Sequence, residues 1–396
     1  MSFETFNLHP SIMAGVRALG YSEPTPIQAQ TIPPIMQGHD VIGMAQTGTG
    51  KTAAFVLPIL HRLVSSPRGR IRALIISPTR ELAEQTCDVI NQLGKQTRLQ
   101  SLSIYGGVSM EQQTRKLRSG VDIAVACPGR LLDHLWQGNI NLTGLEILVI
   151  DEADRMFDMG FLPDIRSILQ CILHERQTLL FAATMPDNIR SLAREILRDP
   201  VTVQIGQVLP AKTVSHALYP VKQHLKTALL KELLHKTKTD SVIVFTRTKH
   251  RAERVAQQLV QEGYRVASLQ GNLSQSRRQK ALDGFRDGSY KILVATDIAA
   301  RGIDVLRISH VINYDMPEST DDYIHRIGRT GRINKSGDAL TFVTGADTAK
   351  VQALEHVLKS KLERRILQDF NYTISEPVTA YTRPPRQPGR RMVRTA

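Results

Sequence analysis

Ala45-Gln46-Thr47-Gly48-Thr49-Gly50-Lys51-Thr52 is the stretch on which the fold of this chain turns. It follows the apolar run Val41-Ile42-Gly43-Met44 and precedes a helix-like run from Ala53 to Leu63. Strand, glycine loop, Gly-Lys-Thr and helix, in that order, make a phosphate-binding loop. Gly48 and Gly50 let the backbone turn so that N–H groups face phosphate oxygens. The helix that follows adds the partial positive charge of its N-terminus. Lys51 reaches the β- and γ-phosphates, and the Thr52 hydroxyl ligates Mg2+. The strict pattern has Gly six residues before the lysine, where this chain has Ala45.

Around the loop, apolar strand-like runs alternate with helical stretches. The runs are Ala73–Ser77, Leu102–Tyr105, Ile123–Ala126, Ile147–Ile150 and Leu179–Ala182. Such alternation predicts an α/β fold, a mostly parallel sheet with helices on both faces. Ligands of these sheets bind at the carboxyl ends of the strands. Polar clusters fall at those ends: Pro78-Thr79-Arg80-Glu81-Leu82, Gly106-Gly107, Pro128-Gly129-Arg130, Asp151-Glu152-Ala153-Asp154 and Ala183-Thr184. The acidic cluster is the most informative. An Asp that ends a buried strand, in a chain with a phosphate loop, is the second anchor for Mg2+. Glu152 beside it can orient or deprotonate an attacking water.

Before the loop, Leu8, Ile12, Val16 and Leu19 recur at helical spacing after His9-Pro10-Ser11, and Gly20 ends the helix. Tyr21-Ser22-Glu23-Pro24-Thr25-Pro26-Ile27-Gln28 follows, a rigid approach that offers an amide. An amide can pair with the N6 and N7 edge of adenine or cap a helix. Near residues 205–215 periodicity lapses and a linker is expected. The second half repeats the alternation with Val242–Phe245, Val266–Leu269, Ile292–Ala295, Val311–Tyr314 and Leu340–Val343, and has no phosphate loop of its own. It carries Ala295-Thr296-Asp297-Ile298-Ala299-Ala300-Arg301-Gly302-Ile303-Asp304 and Tyr323-Ile324-His325-Arg326-Ile327-Gly328-Arg329-Thr330-Gly331-Arg332. Arginines presented every third residue suit a finger that reaches across a cleft to a γ-phosphate.

The net charge, 51 − 37 = +14, favours polyanionic partners, nucleic acid first. Three widely spaced cysteines argue against a disulfide framework or a zinc site and fit a reducing compartment. No apolar run approaches a membrane span. The N-terminus lacks a basic region and an apolar core, so secretion is not expected and a cytoplasmic protein is. The arginine- and proline-rich tail from Thr382 has almost nothing to bury; disorder and non-specific RNA binding are expected of it.

In order and spacing these motifs resemble the DEAD-box RNA helicases of helicase superfamily 2, from Phe3 to about Phe342. The lack of large insertions and the short basic tail resemble a bacterial member of the RhlE type. The resemblance implies two tandem RecA-like domains, at 1–206 and 215–370, a short flexible linker at 207–214 and a basic tail at 371–396. It implies an RNA-stimulated ATPase that uses ATP and Mg2+ to separate short duplexes through domain closure. It also implies ATP contacts at Phe3, Tyr21, Gln28, Thr47, Gly48, Thr49, Gly50, Lys51, Thr52, Gly302 and Asp304. Catalytic roles fall to Lys51, Asp151, Glu152, His325, Arg329 and Arg332, and Mg2+ to Thr52 and Asp151. RNA would be touched, independently of sequence, by Pro78, Thr79, Arg80, Gly107, Pro128, Gly129, Arg130, Arg247, Gln275, Arg278, Thr296 and Asp297. Asp154, Ala182, Ala183, Thr184, Arg301 and Arg326 would link the domains. A monomer is expected, with the tail free for protein partners.

Two positions depart from the family. Ala182-Ala183-Thr184 stands where Ser-Ala-Thr is usual, and Cys127 stands where Thr is usual before Pro-Gly-Arg. Neither touches the groups that hydrolyse ATP. Ala182 opens an alternative, an ATP-gated RNA clamp that unwinds weakly.

Overall fold

The computed structural model describes residues 2–45, 48–205, 214–237, 241–300, 308–328, 330 and 337–375. Its first sheet comprises β1 (Val41–Met44), β2 (Ala73–Ile76), β3 (Ser101–Ile104), β4 (Ile123–Ala126), β5 (Ile147–Ile150), β6 (Gln177–Ala182) and β7 (Val201–Gln204). Their order is β3-β4-β2-β5-β6-β1-β7, and each pair is parallel. The second sheet comprises β8 (Val214–Pro220), β9 (Val242–Phe245), β10 (Val266–Leu269), β11 (Ile292–Ala295), β12 (His310–Asn313), β13 (Gly337–Val343) and β14 (Glu363–Arg364). Its order is β10-β11-β9-β12-β13-β8-β14. Renumbered from its own first strand, that order is the same as in the first sheet. The chain is thus two tandem RecA-like domains built on one topology.

Helices cover both faces of the first sheet: α1 (Pro10–Ala18), α2 (Pro26–Met36), α3 (Lys51–Leu63), α4 (Arg80–Leu93), α5 (Met110–Arg118), α6 (Pro128–Trp136) and α7 (Ala153–Asp158) lead the set. Side chains along a strand alternate between faces. Ile75 therefore joins the core that holds α3, while Leu74 and Ile76 join the core that holds α6. All four residues of β2, β4 and β5 are buried, which is why those strands read as unbroken apolar runs. Gly43 is set by packing: a Cβ there would lie 2.4 Å from the ring of Phe181.

Two boundaries differ from expectation. Val214, assigned to the linker, is the first residue of β8; residues 206–213 lie outside the described set. Residues 371–375, assigned to the tail, pack on the second domain. The Tyr372 ring meets Phe370 edge-on at 4.8 Å, its hydroxyl accepts from Leu367 N, and His224 contacts the Ile374 carbonyl at 2.8 Å. Two aromatic rings and a carbonyl gave the segment something to bury. The rest of the tail, 376–396, is outside the described residues.

Candidate active site

Strand order decides which loops meet. The ends of β5, β6 and β1 are neighbours and carry Asp151, Ala183-Thr184 and the glycine loop. The ends of β3, β4 and β2 are neighbours and carry Gly106-Gly107, Pro128-Gly129-Arg130 and Pro78-Thr79-Arg80. The edge therefore divides into a phosphate half and a basic half.

In the phosphate half, Gly50 caps α3 with φ 91°, and Gly48 has φ 86°. A Cβ on Gly50 would also lie 2.5 Å from Gln28 Nε2, so conformation and contact both require glycine. Lys51 is buried, and its Nζ donates to the Ala45 carbonyl at 2.8 Å. Gln28 bridges two elements: Nε2 donates to Gly50 O at 3.1 Å, and Oε1 accepts from Thr25 N at 3.0 Å. The amide thus caps α2 and ties that helix to the glycine loop. Tyr21 is 36% exposed and stacks on Phe3, which is 2% exposed. Tyr21 thus presents a partly exposed ring that Phe3 backs from inside the core. Thr47 lies outside the described residues.

The acidic cluster is buried. Burial first, and the charge of Glu152 second, push the Asp151 carboxyl up from its ordinary value, with Lys51 opposing. A bound cation would relieve that strain. Glu152 adopts φ 52°, in the left-handed region, and its Oε2 accepts from Arg155 Nη1 at 2.8 Å. Asp154 Oδ2 accepts from Ala183 N (3.0 Å), Thr184 N (2.8 Å) and Thr184 Oγ1 (3.1 Å). Ala182 is fully buried at the end of β6. The missing hydroxyl therefore leaves three donors on Asp154. Among the described residues no cluster of three or more His, Cys, Asp or Glu could hold a metal alone. Thr52 and Asp151 suit Mg2+, which takes most of its ligands from phosphate and water.

In the basic half, Thr79 caps α4 through Leu82 N. Gly107 has φ 84°, and a Cβ on it would lie 2.4 Å from Arg80 Nη1. A Cβ on Gly106 would lie 3.8 and 3.9 Å from the Nη2 atoms of Arg80 and Arg130. Two guanidinium groups thus flank a loop held close to them by having no side chains. Pro128 opens α6, and exposed Gly129 leaves the backbone at that helix start open. Burial pushes the Cys127 thiol up to about 12, so it stays protonated and supplies no charge.

Three residues that the sequence reading missed hold this half together. Gln113 donates to the Tyr105 carbonyl (3.1 Å), accepts from Arg130 (3.2 Å) and pairs with His134 Nε2 (3.0 Å). Arg130 also donates to Val108 O at 3.1 Å. His134 is fully buried. The Tyr105 hydroxyl donates to Glu84. Their signal in the sequence is weak, because a Gln and a His on separate helices predict no contact.

The second domain places several of the expected site residues in contacts with protein. Gln275 and Arg278, assigned to RNA, contact the first domain: Arg80 Nη1 donates to Gln275 Oε1 at 3.1 Å, and Arg278 Nε donates to Glu81 Oε1 at 2.9 Å. A buried carboxylate and a guanidinium satisfy each other there. Arg326, assigned to the link between domains, is buried inside the second. It takes both oxygens of Asp297 (2.6 and 2.7 Å), Asn313 Oδ1 and the Asp315 carbonyl, and lies over the Phe245 ring. Asp297, assigned to RNA, is therefore held by Arg326. Arg247 is exposed and pairs with Glu318 at 2.9 Å. Thr296 and His325 are half-buried. Arg301, Gly302, Asp304, Arg329 and Arg332 lie outside the described residues.

Comparison with known proteins agrees with this layout. The DEAD/DEAH box helicase family matches residues 25–192, and the helicase conserved C-terminal domain matches 225–334. The chain is 42% identical over 364 residues to the DEAD-box ATP-dependent RNA helicase CshA of Geobacillus kaustophilus, covering 92% of this chain and 78% of that protein. It is 41% identical to CshA of Bacillus subtilis, covering 92% and 74%. Its structure is similar to that of S. cerevisiae Dbp5 bound to RNA and ADP BeF3, with TM-score 0.83 and 30% identity over 92% of this chain and 95% of the other.

Proposed function

This chain belongs to the DEAD-box family of ATP-dependent RNA helicases, and from that premise we propose that ATP and RNA act together to close its two domains. The observation that supports this most is the divided edge of the first sheet. It sets the phosphate loop and the acidic cluster beside three adjacent strand ends that carry arginine and glycine.

In this reading adenine lies on Tyr21 and pairs with Gln28. The phosphates rest on residues 48–52, and Lys51 moves from the Ala45 carbonyl to them. Mg2+ would be held by Thr52 and Asp151, where it would neutralise charge on the phosphate oxygens. Glu152, fixed by Arg155, orients the attacking water and takes its proton. Arg329 and Arg332 reach the γ-phosphate from the second domain, so hydrolysis waits for closure. RNA crosses Thr79, Arg80, Gly107, Gly129, Arg130 and Thr296 at its phosphates and 2′-hydroxyls. Such contacts carry no sequence information, so many RNAs serve. Glu81–Arg278 and Arg80–Gln275 fasten the domains on the same side. The three donors on Asp154 favour intact linkage between hydrolysis and closure over the clamp alternative. No helix among the described residues is long and apolar enough to cross a membrane; we read the protein as working in the cytoplasm as a monomer.

Closure by two ligands requires reciprocal linkage. RNA affinity measured with and without a non-hydrolysable ATP analogue tests it. The reading expects RNA to bind at least tenfold tighter with the analogue. Equal affinities would refute ATP-driven closure.

A further inference from the structure

The end of the first domain opposite the catalytic edge carries cations that the reaction does not use. Residues 65–72, 94–100, 119–122 and 137–146 lead into β2, β3, β4 and β5 there, and these strands are neighbours. One buried carboxylate stitches three of the four segments together. Asp122 Oδ1 accepts from Gly69 N and Oδ2 from Gln100 N, both at 2.8 Å. Arg68 Nη2 donates to the Thr97 carbonyl at 2.9 Å. Gly120 sits so close that a Cβ on it would lie 3.1 Å from the Gly69 Cα. The acids of these four segments are Asp122 and Glu146, and Glu146 pairs with Arg72 at 2.6 Å. Negative charge is thereby consumed inside the platform.

Arg70, Lys95, Arg98 and Arg118 remain exposed on it. Among the described residues no hydrogen bond or ion pair engages their side chains. α3, α4 and α5 end here, and cations near helix C-termini offset their partial negative charge. That role suits a residue or two. Three unpaired cations on loops pinned to one another, with Arg118 at the end of α5 beside them, form a rigid positive surface, which suits a polyphosphate backbone.

We propose that this surface is a second, sequence-independent RNA contact that grips strand lying beyond the cleft. The inference rests on the reading that RNA crosses the ends of β2, β3 and β4. α3, with 13 residues, separates the two ends of the domain by about 20 Å. RNA confined to the cleft does not reach the surface. A longer strand does, at the raised effective concentration that tethering gives.

The test combines Arg70→Gln, Lys95→Gln, Arg98→Gln and Arg118→Gln in the full chain. Binding is measured against salt with a long single strand and with one that fills only the cleft, beside thermal melting. Each lost phosphate contact flattens the salt dependence by about 0.7 in log–log slope. The expected result is a slope shallower by about 2 to 3 and a loss of about tenfold or more on the long strand. Short-strand binding, and the ATPase it stimulates, should stay unchanged. An unchanged slope on the long strand overturns the proposal, and a lowered melting temperature with that result assigns the cations to the helix ends. Equal losses on both strands overturn it too. Short-strand binding by the unaltered chain reports separately on the cleft, so failure there is failure of the cleft reading.

Discussion

Glu152 and Arg130 illustrate how single side chains are aimed here. Glu152 stands in a left-handed backbone conformation, which costs a non-glycine residue of order 1–3 kcal/mol, and Arg155 secures it. Arg130 is aimed by Gln113 and by the Val108 carbonyl. Gln113→Ala should raise the RNA concentration for half-maximal ATPase by about 3- to 10-fold, the size of one or two neutral hydrogen bonds. The ATP KM and the rate at saturating RNA should hardly move; a fall in that rate alone would contradict this role. Arg329→Ala should cut ATPase at least a hundredfold while ATP binding stays nearly intact, and activity near that of the unaltered chain would remove the finger assignment. The positions of Lys51, Thr52 and Asp151 in the fold were legible in sequence: the first two open α3 and the third follows β5. The carboxylates that Arg278 and Arg326 meet, Glu81 and Asp297, were not legible, because a motif records that an arginine is needed and not which carboxylate faces it. Glu81 and Arg278 are 197 positions apart, a separation that no local pattern spans.

At the scale of elements, the strands buried on both faces were readable within a residue or two. Of the four edge strands, β3 and β10 were read as runs, and β7 and β14 were not. β7 exposes three of its four residues and β14 exposes both of its own, so neither leaves an apolar run. β8 went unread because its seven residues, Val214–Pro220, mix buried and exposed positions without a clean alternation and leave no continuous apolar run. The elements that meet between domains are α4 and the helix Gln275–Arg286. A charge-assisted hydrogen bond contributes about 1.5–3 kcal/mol. Arg278→Ala should therefore lower RNA-stimulated turnover by about 10- to 100-fold and leave ATP binding and the melting temperature of each domain nearly unchanged. Glu81→Ala should give the same loss, and the double variant no more than either alone. Additive losses would show that the pair does not act as a unit.

For the whole molecule, protonation sets an acid limit. Burial holds the imidazoles of His61, His134, His216 and His310 below their ordinary 6.5. They are neutral in the fold and take protons on unfolding once pH drops below 6.5, so the unfolded state binds more protons there. Their contribution is fully present above 6.5 and is lost as pH falls toward their folded-state values. The melting temperature should fall between about pH 7 and about pH 5; a flat profile would mean that these rings titrate alike in both states. The duplicated strand order shows why two domains were legible from one phosphate loop: the second half repeats the strand–helix alternation of the first, while no glycine loop follows β8, the counterpart of β1. What ties the halves together is long-range and was not legible. The most direct measurement of the central claim is ATP hydrolysis with and without RNA, on the same preparation used to separate a short duplex. The account predicts hydrolysis strongly stimulated by RNA and accompanied by strand separation. Hydrolysis indifferent to RNA would contradict it.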